Sequence, residues 1–458
     1  MQKHLTWAMA ISTIILFTCS SLRHALFQST AFDLGIFDQA VYLISQGESP
    51  VSSFLGFHIL GDHAALIFYP LALLYKIYPH VSWLFAVQAI SLSLGALPTW
   101  YLARHAGLGE KQATTMAVVY LLYPLVFNIN LFDFHPEVIA LPSILGAILA
   151  ARLGNGWWFG LALILILSCK AVLSLTVAAM GFWLLVFEKK RFYGAMALFA
   201  GIAWFLITTQ VIIPSFSGAE AAAVERYNFL GDSVLEIATN LLLKPGIVLS
   251  QIFTLPNLEY LLLLLSPVIW GLSFRHLTPL VPAIPALALN LISNYQAQKD
   301  VVHQYSLPIL PFLLLAVITT LAAGKGLVKT RRGIILWSLV AFLALAKFGR
   351  FASTSHYLAT LDTWQGTREA VALVKTKDSV LTSAQIAPHL THRPVVKLAT
   401  SGSESVDLSQ FEYVLLNMRH PGWASSPDTV ISLVQRLEQM PQFQLRYRRD
   451  DVVLYQQH

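Results

Sequence analysis

The sequence predicts a mainly α, polytopic membrane protein of about eleven spans, followed by a small α/β domain. Three observations carry that reading. Hydrophobic residues make up 56% of the 458 positions and charged residues only 12%, about half the share of a soluble chain. Apolar runs of near-spanning length recur as far as residue 348, and beyond 349 charge rises and alternating segments replace them. The same composition excludes disorder, since the chain carries 54 aromatic residues and little charge. A disulfide scaffold is excluded too, because the two cysteines, Cys19 and Cys169, both lie in apolar runs.

The runs lie near 5–22, 81–103, 113–131, 138–151, 157–169, 171–187, 192–213, 258–272, 277–291, 305–323 and 334–348. The first follows MQKH and leads straight into FDLGIFDQ without a small-residue cleavage site, so it reads as a retained helix. A further apolar stretch, AALIFYPLALLYKIYP at 64–79, reads as an interfacial helix inside a first outside loop of 23–80. Charge decides this. With 64–79 in the interface, the loops of the membrane part put twelve basic and two acidic residues on one side of the membrane, and six basic and twelve acidic on the other. A full span there would move Arg104 and Lys111 across and break the register. The excess of Lys and Arg faces the cytoplasm in inner-membrane proteins. The N-terminus is therefore expected in the cytoplasm and the C-terminal domain outside. The net charge of +6 then reports orientation and not a nucleic-acid partner, since no basic helix or stripe is present.

Residues 1–348 thus form the expected membrane domain and 349–458 the extracytoplasmic one. In the latter, SVLTS, FEYVLLN, FQLRYR and DVVLYQ alternate as strands do. TWQGTREAVALVK and SPDTVISLVQRLEQM read as amphipathic helices. No Gly-rich phosphate loop occurs there, which favours a covering or acceptor-selecting role.

The polar residues of the outside loops are the candidate site. Asp33 and Asp38 follow the first helix; Asp33 either caps a helix start or acts as a general base on an acceptor hydroxyl. His58, Asp62 and His63 precede the interfacial stretch, at loop spacing that admits a metal ion or a substrate contact. Asp133, His135 and Glu137 pack three ionisable groups into five residues beside an apolar span, which is costly unless they face a polar cavity or water; they are also the residues that would hold a divalent cation if one is used. Pro136 and Glu137 alternatively start the next helix. Lys170, flanked by apolar residues, either snorkels or finds an anion. Arg226, in the loop 214–257, has the planar fork suited to phosphate or is simply solvated. His303 and Tyr305 lie next to the tenth run, as contacts or as interfacial anchors. Walker, HExxH and nucleophile-elbow motifs are all missing, which disfavours a nucleotide-driven reaction.

Taken together, FDLGIFDQ, the later GDH before a PL-rich stretch, LPTWYLAR and DFHPE resemble a bacterial membrane family called domain of unknown function 2079. SVLTSAQIAPHLTHRPVVKL and FEYVLLN extend the resemblance over most of the chain. That family is similar to the GT-C superfamily of integral-membrane glycosyltransferases. The resemblance implies a GT-C-like architecture, an essential acid in the first outside loop, and a sugar donor carried on polyprenyl phosphate. Asp33 best matches the acidic position, although the chain lacks an adjacent acidic pair and carries DH where better-known branches have HPPL or KPPL. The base therefore stays open between Asp33 and Asp38.

The expected function is transfer of a sugar from a polyprenyl-phosphate carrier to an unidentified acceptor on the outer face of the cytoplasmic membrane. His135, Lys170, Arg226 or His303 would hold the phosphate; Asp133, Glu137, Asp62 and His63 would shape the sugar site or hold a cation. The rivals are a lipid or solute transporter, which would favour internal repeats and ionisable groups at the bilayer midplane, and a non-catalytic scaffold.

Overall fold

The computed structural model describes residues 3–346 and 358–458; the expected domain boundary at 348/349 lies outside them. Within the described residues, each of the eleven apolar runs contains helix. Three helices are long and apolar enough to cross a membrane: Lys3–Ala25, Ser82–His105 and Arg191–Ser217. Two bent pairs, Glu110–Leu121 with Pro124–Asn130 and Pro245–Ile252 with Leu255–Leu265, raise the number to five if each is one span. The bends have local causes. Pro124 opens the second half of one pair, where a missing N–H does no harm, and Pro256 does the same in the other.

The chain forms two compact units. The first comprises Met1–Thr18, Leu60–Ile67 and Ala86–Gly349, and the second Cys19–Ile59, Phe68–Phe85 and Arg350–His458.

The first unit is helical. Its helices stop where the sequence lets the backbone turn: Gly154, at φ 75°, ends Glu137–Leu153, and Asn155 then caps Gly156–Cys169 by accepting from Trp158 N. Helices Leu173–Val186 and Arg191–Ile207 meet through glycines. A Cβ on Gly181 would sit 2.2 Å from Leu198 N, and one on Gly201 2.5 Å from Ala178 N. Small residues let apolar helices approach closely where no hydrophobic effect drives them together. Lys170 falls in the short turn between Gly156–Cys169 and Leu173–Val186, in extended backbone. Ala171 N donates to His63 O and Ile67 N to Ser168 O, so the Leu60–His63 turn is fastened beside Lys170.

The second unit is built on a five-stranded sheet of order β2-β1-β3-β5-β4, with β1 Val380–Thr382, β2 Val396–Leu398, β3 Tyr413–Asn417, β4 Phe443–Arg449 and β5 Val452–Gln457. Strands β2, β1 and β3 are parallel, and β5 runs antiparallel to β3 and β4. Period-two alternation divides the core. Val380, Leu415, Val452 and Leu454 face the helix Leu361–Leu373 side together with Phe27 and Ala31. Leu381, Val414, Leu416 and Val453 face the helix Pro427–Glu438 through Val430, Leu433 and Leu437. Ser426 caps that helix by accepting from Thr429 N, with Pro427 next in line. Four strands and both helices lie where alternation placed them; β2 is additional. The first-loop helix Ile36–Gln46 belongs to this unit as well, packing Phe37 on Phe68 of the helix Phe68–Ile77 at 5.2 Å.

Candidate functional site

In the second unit, the wide turn Ala31–Gly35 leads into Ile36–Gln46 and carries the two first-loop acids to different surroundings. Asp33 is half-buried, with Thr30 Oγ1 3.5 Å from its Oδ2. Asp38 is 1% exposed. Its carboxylate accepts from the hydroxyls of Tyr75 and Thr391, and His392 Nε2 lies 3.2 Å from Oδ2. Burial pushes the Asp38 carboxyl up, but the charge and hydrogen bond of His392, with the two hydroxyls, outweigh it and leave it below the ordinary carboxylate range. Around this group the contacts multiply. His392 stacks on Tyr42 at 4.4 Å, and Lys377 reaches the Tyr42 hydroxyl. Gln39 donates to Arg393 O at 3.0 Å, and Ser53 Oγ both donates to Val396 O and accepts from Val396 N at 3.0 Å. Asp38 is thus a fully occupied tie between the first-loop helix and the segment 391–396. His58 also lies in this unit, where it forms an isolated bridge with Val51.

The first unit gathers most of the other candidates. Glu137, in the first turn after Pro136, is 4% exposed and accepts from Lys170 Nζ at 2.6 Å. Its other oxygen, Oε2, is buried with no hydrogen-bond partner among the described residues. The Lys170 ammonium also stands 5.9 Å from the Tyr305 ring. Across that ring is Arg226, whose guanidinium lies 5.2 Å from Tyr305 and 4.6 Å from Tyr295, with Gln298 Oε1 at 3.4 Å from Nη1. Among the described residues no carboxylate pairs with Arg226. Burial, with the charges of Lys170 and Arg226, holds His63 well below the ordinary histidine value, only partly offset by Glu137. It sits 3.4 Å from Asp62.

His303 pairs with Asp300 at 2.7 Å and meets the Phe132 ring edge-on at 4.3 Å, while His135 stacks on the same ring at 5.2 Å. Asp133 is buried at φ 113°, a conformation that strains a non-glycine residue. Asp133, His135 and Glu137 do not converge as a metal site, nor do His58, Asp62 and His63: no group of three His, Cys, Asp or Glu able to hold a metal ion occurs among the described residues. Helix geometry explains the first case, because Pro136 starts a helix that turns Glu137 toward Lys170.

The result is a cluster of Lys170, Arg226, His63, Glu137 and Tyr305 within one unit. Tyr295, Tyr305 and Gln298, which fix the guanidinium, come from a loop about seventy residues away; the sequence marks Tyr305 beside the tenth run, whereas Tyr295 and Gln298 carry no signal of their own. The arrangement is suited to an anion that also carries hydroxyl donors: an arginine with no internal counter-ion beside an ammonium, and a buried carboxylate oxygen that lacks a donor.

The family model described as "Predicted membrane protein (DUF2079)" matches residues 23–454. Among solved structures, the chain is similar to ArnT from Cupriavidus metallidurans bound to undecaprenyl phosphate, with 12% identity and a TM-score of 0.45, over 98% of this chain and 97% of that one. It is also similar to ArnT from Cupriavidus metallidurans in the apo state, with 12% identity and a TM-score of 0.44, over 97% and 98% respectively. No curated protein matches it.

Proposed function

The chain belongs to the DUF2079 family of predicted membrane proteins, and we propose that it is a glycosyltransferase that moves a sugar from a polyprenyl-phosphate carrier to an acceptor at the extracytoplasmic face. The observation that carries the reading is Arg226 without a carboxylate partner among the described residues, held between two tyrosines beside Lys170 and the bare Glu137 Oε2. A phosphate ester of a sugar supplies what this cluster lacks: an anion for Arg226 and a hydroxyl for Glu137.

The chemistry in this reading is a displacement at the anomeric carbon. Asp33 takes the proton of the acceptor hydroxyl, the new C–O bond forms, and the bond to phosphate breaks with inversion. Lys170 and Arg226 offset the charge that grows on the leaving phosphate. Asp38, already occupied by three partners, positions and does not react. A divalent cation, if the reaction uses one, has no ready three-residue cage in the described residues.

The test uses the full-length protein in nanodiscs with polyprenyl phosphate and its radiolabelled glycosides. Binding of polyprenyl phosphate should fall about 10- to 100-fold in Arg226→Ala, the loss of a charged hydrogen bond at roughly 1.5–3 kcal/mol. Wild-type protein should release polyprenyl phosphate from one of the glycosides. Movement of intact labelled lipid across the bilayer, with no bond broken, would establish the transporter instead.

A further inference from the structure

The sheet-bearing unit holds a second polar recess that the donor chemistry leaves unused. β1 and β3 are parallel neighbours, and open α/β sheets bind ligands outside the carboxyl ends of such strands. At that edge lies a cavity of about 20 Å³, room for a water or a single hydroxyl, lined by Ser383 just past β1, Asn417 at the end of β3, Gln385, Thr367 and Trp364. Two polar atoms of its lining residues, Ser383 Oγ and Gln385 Oε1, have no hydrogen-bond partner among the described residues, and Ser383 is 1% exposed. Such groups cost about 1–3 kcal/mol each when left bare.

Next to Gln385 an aromatic pair faces outward. Trp423 is 60% exposed and Phe32 41%, their rings edge to face at 5.0 Å. The backbone on both sides of Trp423 is left-handed, at Gly422 (φ 93°) and Ala424 (φ 55°). Gly422 packs against Gln385, where a Cβ would lie 2.3 Å from Oε1, and its φ of 93° is one that L side chains rarely adopt. Phe32 is the neighbour of Asp33 in the chain.

An exposed ring pair next to a bare hydroxyl and a bare amide oxygen matches one ligand chemistry. A pyranose offers a face of C–H groups to aromatic rings, and an edge of hydroxyls that both donate and accept. An acyl chain would cover the rings and leave Ser383 and Gln385 bare. We propose that this face is a carbohydrate site, with one ring hydroxyl in the recess and the sugar face on Trp423 and Phe32. Its use as the acceptor subsite rests on the glycosyltransferase reading; carbohydrate binding does not.

Saturation-transfer NMR on the full-length protein in nanodiscs, with the methyl glycosides of glucose, galactose, mannose and N-acetylglucosamine as probes, tests this. At least one glycoside should bind, more than tenfold weaker in Trp423→Ala and at least threefold weaker in Ser383→Ala, a change too small to unfold the sheet. Polyprenyl-phosphate binding on the same wild-type sample separates the two readings. Glycoside binding without lipid-phosphate binding removes the donor assignment and supports this site. Lipid-phosphate binding with no glycoside signal, or with signal equal in both variants, overturns it. Quenching by brominated acyl chains, present in wild type and absent in Trp423→Phe, would make the pair a bilayer anchor and also overturn it.

Discussion

Asp33 and Asp38 lie five residues apart, and substituting each separates a chemical role from a structural one. Asp38→Ala leaves the Tyr75 and Thr391 hydroxyls and His392 facing a buried void where they now meet a carboxylate. Removing one partner of a buried, hydrogen-bonded charge costs about 3–5 kcal/mol. At 1.36 kcal/mol per tenfold, that is roughly 100- to 5,000-fold more of the opened sheet-bearing unit. Asp38→Asn keeps the volume and one acceptor, so it should fall near the lower end. Proteolysis within 361–457 reads the open population when cleavage is slow beside reclosing. Asp33→Asn, at a half-buried position, should open the unit far less than Asp38→Ala does. It should nevertheless lower transfer from a polyprenyl-phosphate sugar by about 10²–10⁴-fold, the range for loss of a general base. An Asp38→Asn protein with wild-type proteolysis and no transfer would refute this assignment, since it would make Asp38 the base.

Lys170→Met should destabilise the first unit by about 3–5 kcal/mol, because Glu137 is left buried and unpaired. Adding Glu137→Gln should restore most of that in thermal unfolding but none of the lipid-phosphate binding; a double variant no more stable than the single one would show the pair is not coupled. Arg226→Lys should bind polyprenyl phosphate almost as weakly as Arg226→Ala, since an ammonium cannot keep both the paired hydrogen bonds and the two ring contacts; near-normal binding would show that charge alone suffices. Acid should weaken the sheet-bearing unit in two stages. Burial lowers His389 from 6.5 to about 4, so the unfolded chain takes up a proton across that interval that the folded chain refuses. Stability should fall between those values by up to about 3 kcal/mol. Asp38, held below its ordinary value, adds a loss as pH falls further. His389→Gln should remove the first stage of the proteolysis profile and keep the second.

The elements that sequence revealed are those whose signal is local. Apolar runs became helices, 13 to 23 residues long in the cases of Leu310–Ala322 and Lys3–Ala25, because a run of apolar residues needs no distant partner to be recognised, and the strand FEYVLLN became β3 for the same reason. β2 escaped because it is three residues long and follows Pro394, which leaves no alternation to read. The site was legible as an inventory and not as an arrangement. Glu137 and Lys170 each stood out as a costly charge, yet nothing in their thirty-three-residue separation says that they pair. Thr391 is 353 positions from Asp38, and nothing in the segment SVLTSAQIAPHLTHRPVVKL says that it reaches the first loop.

Partnering, more than residue type, then separates structural charges from those left for a ligand. In so apolar a chain each buried charge needs a counterpart, and most candidates have found one inside the fold: Asp38 in His392 and two hydroxyls, Lys170 in Glu137, His303 in Asp300. These contacts are already made, through Oε1 alone in the case of Glu137, so a ligand that displaced one would have to replace its bonds. Arg226, Glu137 Oε2, Ser383 Oγ and Gln385 Oε1 are different, because each keeps a bonding capacity that no described residue fills. The first two lie in one unit and match a phosphate and a hydroxyl. The last two lie in the other unit and match a hydroxyl alone. A transferase needs one ligand of each kind, a charged donor and an uncharged acceptor, whereas a transporter of a single lipid needs only the first.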